Sequence, residues 1–259
     1  MTFRNAVVLL AIILALPGGA APAPAAAAQT ITVSAAASLG AALHAIGNAF
    51  EARHPGLTLE LNLGSSGALR QQIQHGAPVD VFLSAAEAPM QALIERGLVD
   101  AADVRVFATN RLVLVRGRYA PPVLQSWHDL VQPDVRRVAI GNPDHVPAGE
   151  YGKAVLESLA LWEQLQNKLV FGEDVRQVLA YVESGAADAG LVYSTDAAAT
   201  HGIHVVARAP AGSHGAIRYP AAVVATSRVP DAARSFIDYL LSEEGQALLR
   251  EYGFGGPED

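Results

Sequence analysis

The chain has 259 residues, of which 51% are hydrophobic and 17% are charged, and its formal net charge is −7. Its 18 basic residues form no lysine or arginine run and face 25 acidic ones, which argues against binding to nucleic acid or to an acidic membrane surface. The absence of cysteine excludes disulfides and a cysteine-linked lipid anchor, so stability must come from an ordinary hydrophobic core.

Residues 1–28 predict a secretory signal peptide. Arg4 supplies the positive start, residues 6–16 form an apolar core, and the alanines at 26–28 fit a cleavage site before Gln29. An apolar core of this length is too short for a membrane span, which needs roughly 20 residues. Cleavage would leave 231 residues (259 minus 28) with 17 basic and 25 acidic side chains, a net charge of about −8. We therefore expect export to the periplasm.

Beyond the signal peptide, strand-like and helix-like segments alternate. Strands are predicted at 31–35, 57–63, 79–83, 112–115, 137–140, 190–193, 205–207 and 220–225. Helices are predicted from Leu39 to Phe50, from Leu69 to Gly76, and over 87–96, 149–165, 173–184, 231–241 and 244–252. This alternation predicts an α/β fold with mostly parallel sheets and right-handed crossovers.

No flexible linker and no repeat separate the two series of elements, so we expect two lobes joined by crossing strands. The first lobe is predicted to comprise residues 29–107 together with 219–259, and the second residues 108–218. The candidate hinge strands are 106–115 and 219–225, with the ligand in the cleft between the lobes.

Three strand-like runs break into very small side chains just before a helix. These stretches are 36–38 (Ala-Ala-Ser), 64–67 (Gly-Ser-Ser-Gly) and 147–149 (Pro-Ala-Gly). Small side chains leave the N–H groups at a helix start uncovered, and several such starts pointing at one spot form an anion site without formal positive charge. The ends of strands in open α/β sheets are also where ligands bind.

The individual residues leave several roles open. Ser38 fits the N-cap position of the helix that begins at Leu39, or it faces a ligand. Ser65 and Ser66 place two hydroxyls on a backbone freed by flanking glycines. Asp188 and Asp196 are interpreted as turn or cap residues.

The sequence gives little support for an enzyme. The eight histidines are scattered, and His201 and His204 lack the spacing and the glutamate of a zinc protease. No G-x-S-x-G elbow and no G-x-x-x-x-G-K-[ST] loop occurs. An exported serine hydrolase would need a histidine near Ser38 or Ser66, and none is near in sequence. We expect no enzyme activity, no catalytic residues, no bare metal ion and no cofactor.

Several segments resemble the molybdate-binding periplasmic proteins of ABC importers over essentially the whole mature chain. They are A-A-A-S-L (35–39), G-A-P-V-D-V-F (76–82), G-N-P-D-H-V-P-A-G (141–149), E-D-V-R (173–176), G-L-V-Y-S-T-D-A (190–197) and Y-G-F (252–254). The P-x-H-V-P-A-G and E-D-V-R segments are the most specific of these.

The resemblance implies a two-lobed, type II periplasmic-binding-protein fold that holds molybdate, and tungstate with it, in the cleft. It implies delivery to an ABC transporter permease in the inner membrane, and we expect a monomer. Five contact positions carry over: three hydroxyls and two backbone amides. The hydroxyls are those of Ser38, Ser66 and Tyr193, and the amides are those of Ala148 and Val175.

All five groups are hydrogen-bond donors, which suits a fully deprotonated tetrahedral oxyanion because it has only acceptors. We expect Glu150 and Asp174 to face solvent or to act as first-turn helix charges. The chain departs from several relatives at Gly67 and Ala68, where they carry a further serine or threonine. A receptor for another oxyanion, such as sulfate or thiosulfate, remains the alternative.

Overall fold

The computed structural model describes residues 28–257, so the predicted signal peptide lies outside the described residues except for Ala28. The strands are β1 Gln29–Ala36, β2 Leu57–Gly64, β3 Val81–Leu83, β4 Arg105–Asn110, β5 Leu112–Gly117, β6 Val138–Gly141, β7 Leu169–Gly172, β8 Ala189–Tyr193, β9 Ile203–Arg208 and β10 Ile217–Val223. The α-helices are α1 Gly40–Arg53, α2 Ser66–Gln74, α3 Glu87–Ile94, α4 Pro147–Ser158, α5 Trp162–Leu165, α6 Val175–Glu183, α7 Ser194–Ala198, α8 Pro230–Leu241 and α9 Glu243–Glu251.

The strands form two five-stranded sheets of related design. The first has the order β2-β1-β3-β10-β4, and the second has the order β7-β6-β8-β5-β9. In the first, β1 pairs parallel with β2 and β3, whereas β10 pairs antiparallel with β3 and β4. In the second, β6 pairs parallel with β7 and β8, whereas β5 pairs antiparallel with β8 and β9. The α/β prediction is confirmed, but the sheets are mixed rather than mostly parallel.

The antiparallel pairings arise where the chain passes between the sheets. Only Arg111 separates β4 from β5, so the chain leaves one sheet and enters the other without a connecting helix. β10 then brings the chain back from the second sheet to the first. Strands that enter in this way are not bound by the βαβ crossover, which makes consecutive strands parallel. The division into lobes at 107/108 and 218/219 stays a prediction.

The core follows the predicted apolar faces. Val33, Ser34 and Ala35, which are consecutive in β1, are fully buried, as expected for a strand covered on both faces. Leu43 and Ile46 lie on one face of α1 and are fully buried as well. Within residues 28–257, no helix is both long enough and apolar enough to cross a membrane.

One predicted helix is in fact two, and one strand was missed. Residues 149–165 are divided into α4 and α5, because Ala160 adopts a left-handed backbone with φ of 55°. The apolar spacing continues through Leu161 and Leu165, which hid the break. The missed strand is β7, an edge strand of four residues whose one partner among the described strands is β6. So short a run has too few residues to show an alternating pattern.

Asp80 joins the first sheet to the turn between β10 and α8. Its Oδ2 accepts a hydrogen bond from the Thr32 amide at 2.9 Å. Its Oδ1 accepts from the Ser227 hydroxyl at 2.7 Å and from the Arg228 amide at 3.3 Å. The side chain is largely buried, so its loss would leave donors without partners.

We predict that Asp80→Ala lowers the free energy of unfolding by about 2–4 kcal/mol, since buried donors left unsatisfied cost about 1–3 kcal/mol each. Urea unfolding followed by circular dichroism measures this change. The matched control is Asp134→Ala at an exposed position, which should change stability by less than about 0.5 kcal/mol. Equal effects of the two substitutions would contradict the structural role of Asp80.

Candidate functional site

A small cavity lies where helix starts from both sheets meet. Its volume is about 10 Å³, which is roughly the room that a single water molecule needs. All five residues selected from the sequence line this cavity: Ser38, Ser66, Ala148, Val175 and Tyr193. The remaining lining residues are mostly small: Ala36, Ala37, Gly64, Ser65, Ala85, Val146, Pro147 and Asp174.

Ser66 is positioned by the start of α2. Ser65 is the N-cap, and its hydroxyl accepts from the Ala68 amide at 3.4 Å. Ser66 follows it, is fully buried, and accepts a hydrogen bond from the Ala85 amide at 2.9 Å. Because an amide can only donate, the hydroxyl hydrogen of Ser66 is not used in this bond. It remains available to a guest in the cavity.

Ser38 does not cap a helix, and that interpretation is corrected. It lies inside a short 3₁₀ turn, Ala37–Leu39, and the residue before α1 is Leu39, which makes no side-chain cap. The Ser38 hydroxyl instead lies 3.1 Å from the hydroxyl of Tyr219 on β10. Sequence reasoning missed Tyr219, because its position beside Ser38 depends on the order of strands in the sheet rather than on any local pattern.

The Tyr193 hydroxyl is the clearest sign of a ligand. It lies at the end of β8, its side chain is 1% exposed, and its oxygen has no hydrogen-bond partner within residues 28–257. Burial raises the pKa of Tyr193 well above its ordinary value, so the phenol keeps its hydrogen. A buried donor without a partner is costly, and one that borders a cavity needs an acceptor there.

Helices α4 and α6 also begin at the cavity, and each follows a strand of the second sheet. Ala148 is the second residue of α4, after Pro147, and Val175 is the first residue of α6. Amides in the first turn have no acceptor within their own helix, so both can donate to a guest. The backbone dipole of each helix also favours negative charge at this end.

Of the two acidic residues beside these helix starts, Glu150 lies as expected, whereas Asp174 does not. Glu150 is exposed in the first turn of α4. Asp174 borders the cavity but is the N-cap of α6, and its Oδ1 accepts from the Gln177 amide at 2.9 Å. Its carboxylate therefore completes the helix start.

Gly67 is a point of contact between the two sides of the cavity. Its amide donates to the His145 carbonyl at 3.0 Å, which joins α2 to the loop before α4. A Cβ at this position would be 2.4 Å from the same carbonyl oxygen, closer than atoms can pack. The absence of a side chain is what allows the two sides to approach.

Among the described residues, no lysine, arginine or histidine lines the cavity. The Arg176 guanidinium faces a neighbouring cavity of about 370 Å³, and its Nη1 lies 3.9 Å from Oδ1 of buried Asp196. Asp196 also accepts from the Tyr193 amide at 3.3 Å, in agreement with its interpretation as a cap. The nearby positive charge thus faces the carboxyl group of Asp196.

The geometry offers no hydrolase machinery at either serine. The hydrogen-bond partners of Ser38 and Ser66 within residues 28–257 are a phenol and an amide. His145 is close to Gly67 through its backbone, but its Nε2 pairs with Glu173 at 3.3 Å. Across the same part of the chain, no group of three or more His, Cys, Asp or Glu residues could hold a metal ion.

The comparison with known families agrees with this geometry. The chain belongs to the bacterial extracellular solute-binding proteins, a family that matches residues 31–255. The family and the relatives below are solute-binding proteins rather than enzymes.

Two curated relatives and one solved structure are similar over most of their lengths. The chain is 40% identical over 224 residues to the putative ABC transporter substrate-binding lipoprotein YvgL of Bacillus subtilis, covering 86% of this chain and 85% of YvgL. It is 36% identical over 230 residues to the molybdate-binding protein ModA of Escherichia coli, covering 86% and 88%. The periplasmic molybdate-binding protein of Azotobacter vinelandii superposes with a TM-score of 0.77 at 25% identity, covering 86% of this chain and 98% of that one.

The carboxyl of Asp196 predicts a pH-dependent stability. Burial raises its pKa to about 7, although Arg176 and the Tyr193 amide oppose the shift. From about pH 4 to pH 7 the unfolded chain ionises while the folded carboxyl keeps its proton. The free energy of unfolding should therefore fall across this range by up to about 4 kcal/mol.

Urea unfolding at intervals from pH 4 to pH 8 tests this prediction against Asp196→Asn, whose side chain does not titrate. The stability of the wild type relative to this variant should decline as pH rises through the window. Asp134→Asn is the control and should leave the wild-type profile unchanged. A constant difference between wild type and Asp196→Asn at every pH would contradict the assignment.

Proposed function

We propose that this protein is a periplasmic solute-binding protein that captures molybdate, together with tungstate, and delivers it to the permease of an ABC importer in the inner membrane. The Tyr193 hydroxyl carries this proposal, because it is a buried donor that has no partner among residues 28–257 and lies at a cavity lined by donors. Residues 1–28 would direct export, and the protein would act as a monomer. The ligand would be bound by the hydroxyls of Ser38, Ser66 and Tyr193 and by the amides of Ala148 and Val175.

The donor set favours one class of anion. A tetrahedral oxyanion without protons presents only acceptors, and each charge-assisted hydrogen bond to it contributes about 1.5–3 kcal/mol. Five such bonds oppose the large cost of removing a dianion from water. Phosphate near neutral pH keeps a proton that would meet another hydrogen in this cavity, so it is disfavoured.

Size must exclude sulfate, because sulfate is also fully ionised. The relatives named for molybdate support the larger anion, and their similarity extends over most of the chain. Tungstate nearly matches molybdate in size and charge, so this cavity has no means of rejecting it. A sulfate or thiosulfate receptor is therefore the less favoured alternative.

Isothermal titration calorimetry with molybdate, tungstate, sulfate and phosphate tests the proposal. We expect similar binding of molybdate and tungstate, and binding of sulfate and phosphate weaker by at least about tenfold. Failure of molybdate to bind would refute the proposed function. Tighter binding of sulfate than of molybdate would favour the alternative receptor.

The assignment of contact residues has its own test. Tyr193→Phe and Ser66→Ala each remove one donor, so each should weaken molybdate binding by about 1–3 kcal/mol. Calorimetry measures the affinity, and thermal unfolding without ligand reports on the fold. Tyr181→Phe is the control, because it removes the hydroxyl of a tyrosine in α6 that does not line the cavity. Unchanged affinity in both donor variants would show that the site is elsewhere.

A further inference from the structure

Ser38 is the end of a chain of hydrogen bonds that begins where the polypeptide passes between the two sheets. Asn110 is the last residue of β4, and its Nδ2 lies 3.1 Å from the Tyr219 hydroxyl and 2.9 Å from Thr195 Oγ1. The Tyr219 hydroxyl in turn lies 3.1 Å from Ser38 Oγ. These hydrogen bonds, here called the relay, run from Asn110 at the passage between the sheets, through Tyr219 on β10, to Ser38 at the rim of the cavity.

The direction of each hydrogen bond follows from groups that can act in only one way. Asn110 Oδ1 is 2.8 Å from the Arg111 amide, which can only donate. The same oxygen accepts from the Ser194 hydroxyl at 3.0 Å. The amide group of Asn110 is thereby oriented with its nitrogen towards Tyr219. Asn110 consequently donates to the Tyr219 hydroxyl.

The Tyr219 hydroxyl has one hydrogen to donate, and its contacts within residues 28–257 decide which group receives it. Its side chain is fully buried, and its hydroxyl is in contact with Asn110 Nδ2 and with Ser38 Oγ. Burial raises the pKa of Tyr219 above its ordinary value, so the hydroxyl keeps its hydrogen. With one lone pair taken by Asn110, the hydrogen points to Ser38. The Ser38 hydroxyl accepts it, which leaves the Ser38 hydrogen for the cavity.

We propose that Asn110 and Tyr219 are positioning residues that fix Ser38 as a hydrogen-bond donor to the bound oxyanion. This inference rests on the proposed function and adds two residues that do not themselves touch the ligand. Tyr219 does for Ser38 what the Ala85 amide does for Ser66, since each supplies the bond that the serine oxygen accepts. A serine oxygen that already accepts one bond is thereby oriented with its hydrogen towards the cavity.

A double-mutant cycle between Tyr219→Phe and Ser38→Ala tests the inference, with molybdate affinity measured by calorimetry. The phenylalanine keeps the ring, which packs against Phe107 and Phe254. Tyr219→Phe should weaken binding about tenfold when Ser38 is present. In the Ser38→Ala background the same substitution should weaken binding by less than about twofold, because the group it positions is gone.

Asn110→Asp provides a second arm that reverses the relay. A carboxylate accepts from the Tyr219 hydroxyl where the amide donates, so Ser38 would then give its hydrogen to Tyr219 instead of to the ligand. Binding should weaken more than in Tyr219→Phe, and the part of the loss that depends on Ser38 should disappear in Ser38→Ala. The added charge is present in both backgrounds, so the cycle cancels its effect.

Tyr239→Phe is the matched control. It removes the hydroxyl of a different buried tyrosine, which lies in α8 and does not line the cavity. It should bind molybdate as the wild type does. Equal losses from Tyr219→Phe with and without Ser38, or a similar loss in Tyr239→Phe, would overturn the positioning role. If the wild type binds no oxyanion, the proposed function fails instead, so the two failures are distinguishable.

Discussion

Each serine oxygen at the cavity is in contact with a hydrogen-bonding group of the protein, and the rest of the site depends on this constraint. Ser66 accepts from the Ala85 amide, and Ser38 lies at bonding distance from Tyr219. A hydroxyl whose oxygen already accepts a bond has its hydrogen free to donate. The cavity thus gains donors without a lysine or arginine, whose flexible charge would bind anions with less regard to their protonation. Under the proposed function, discrimination among anions would come from the direction of these hydrogens rather than from the net charge of the protein, which is negative.

Such donors act at contact distance, so the two sides of the cavity must come close together. Gly67 permits this, because its amide bonds to the His145 carbonyl where a Cβ would collide. The helix starts of α2 on one side and of α4 and α6 on the other are thereby brought to one small space. A serine or threonine at position 67 would add a hydroxyl but would prevent this particular approach. The chain has a closer contact in place of an additional donor.

The sequence was a good guide wherever local chemistry decides the structure. Apolar periodicity predicted α1 and β1, and the tiny side chains before helices predicted part of the cavity lining. Val175 and Tyr193 followed only from the resemblance to a known family. It could not predict the antiparallel placement of β10, because pairing between distant strands depends on the whole fold. Tyr219 was missed for the same reason, although it lies beside Ser38. The break at Ala160 was hidden because the apolar spacing continues across it.

A crystal structure of the protein with molybdate tests the central claim most directly, because it shows what touches each oxygen of the anion. The account predicts that the hydroxyls of Ser38, Ser66 and Tyr193 and the amides of Ala148 and Val175 surround the anion at hydrogen-bonding distance. A lysine, an arginine or a metal ion in contact with the oxygens would contradict it. So would a carboxylate that accepts a proton from the bound anion.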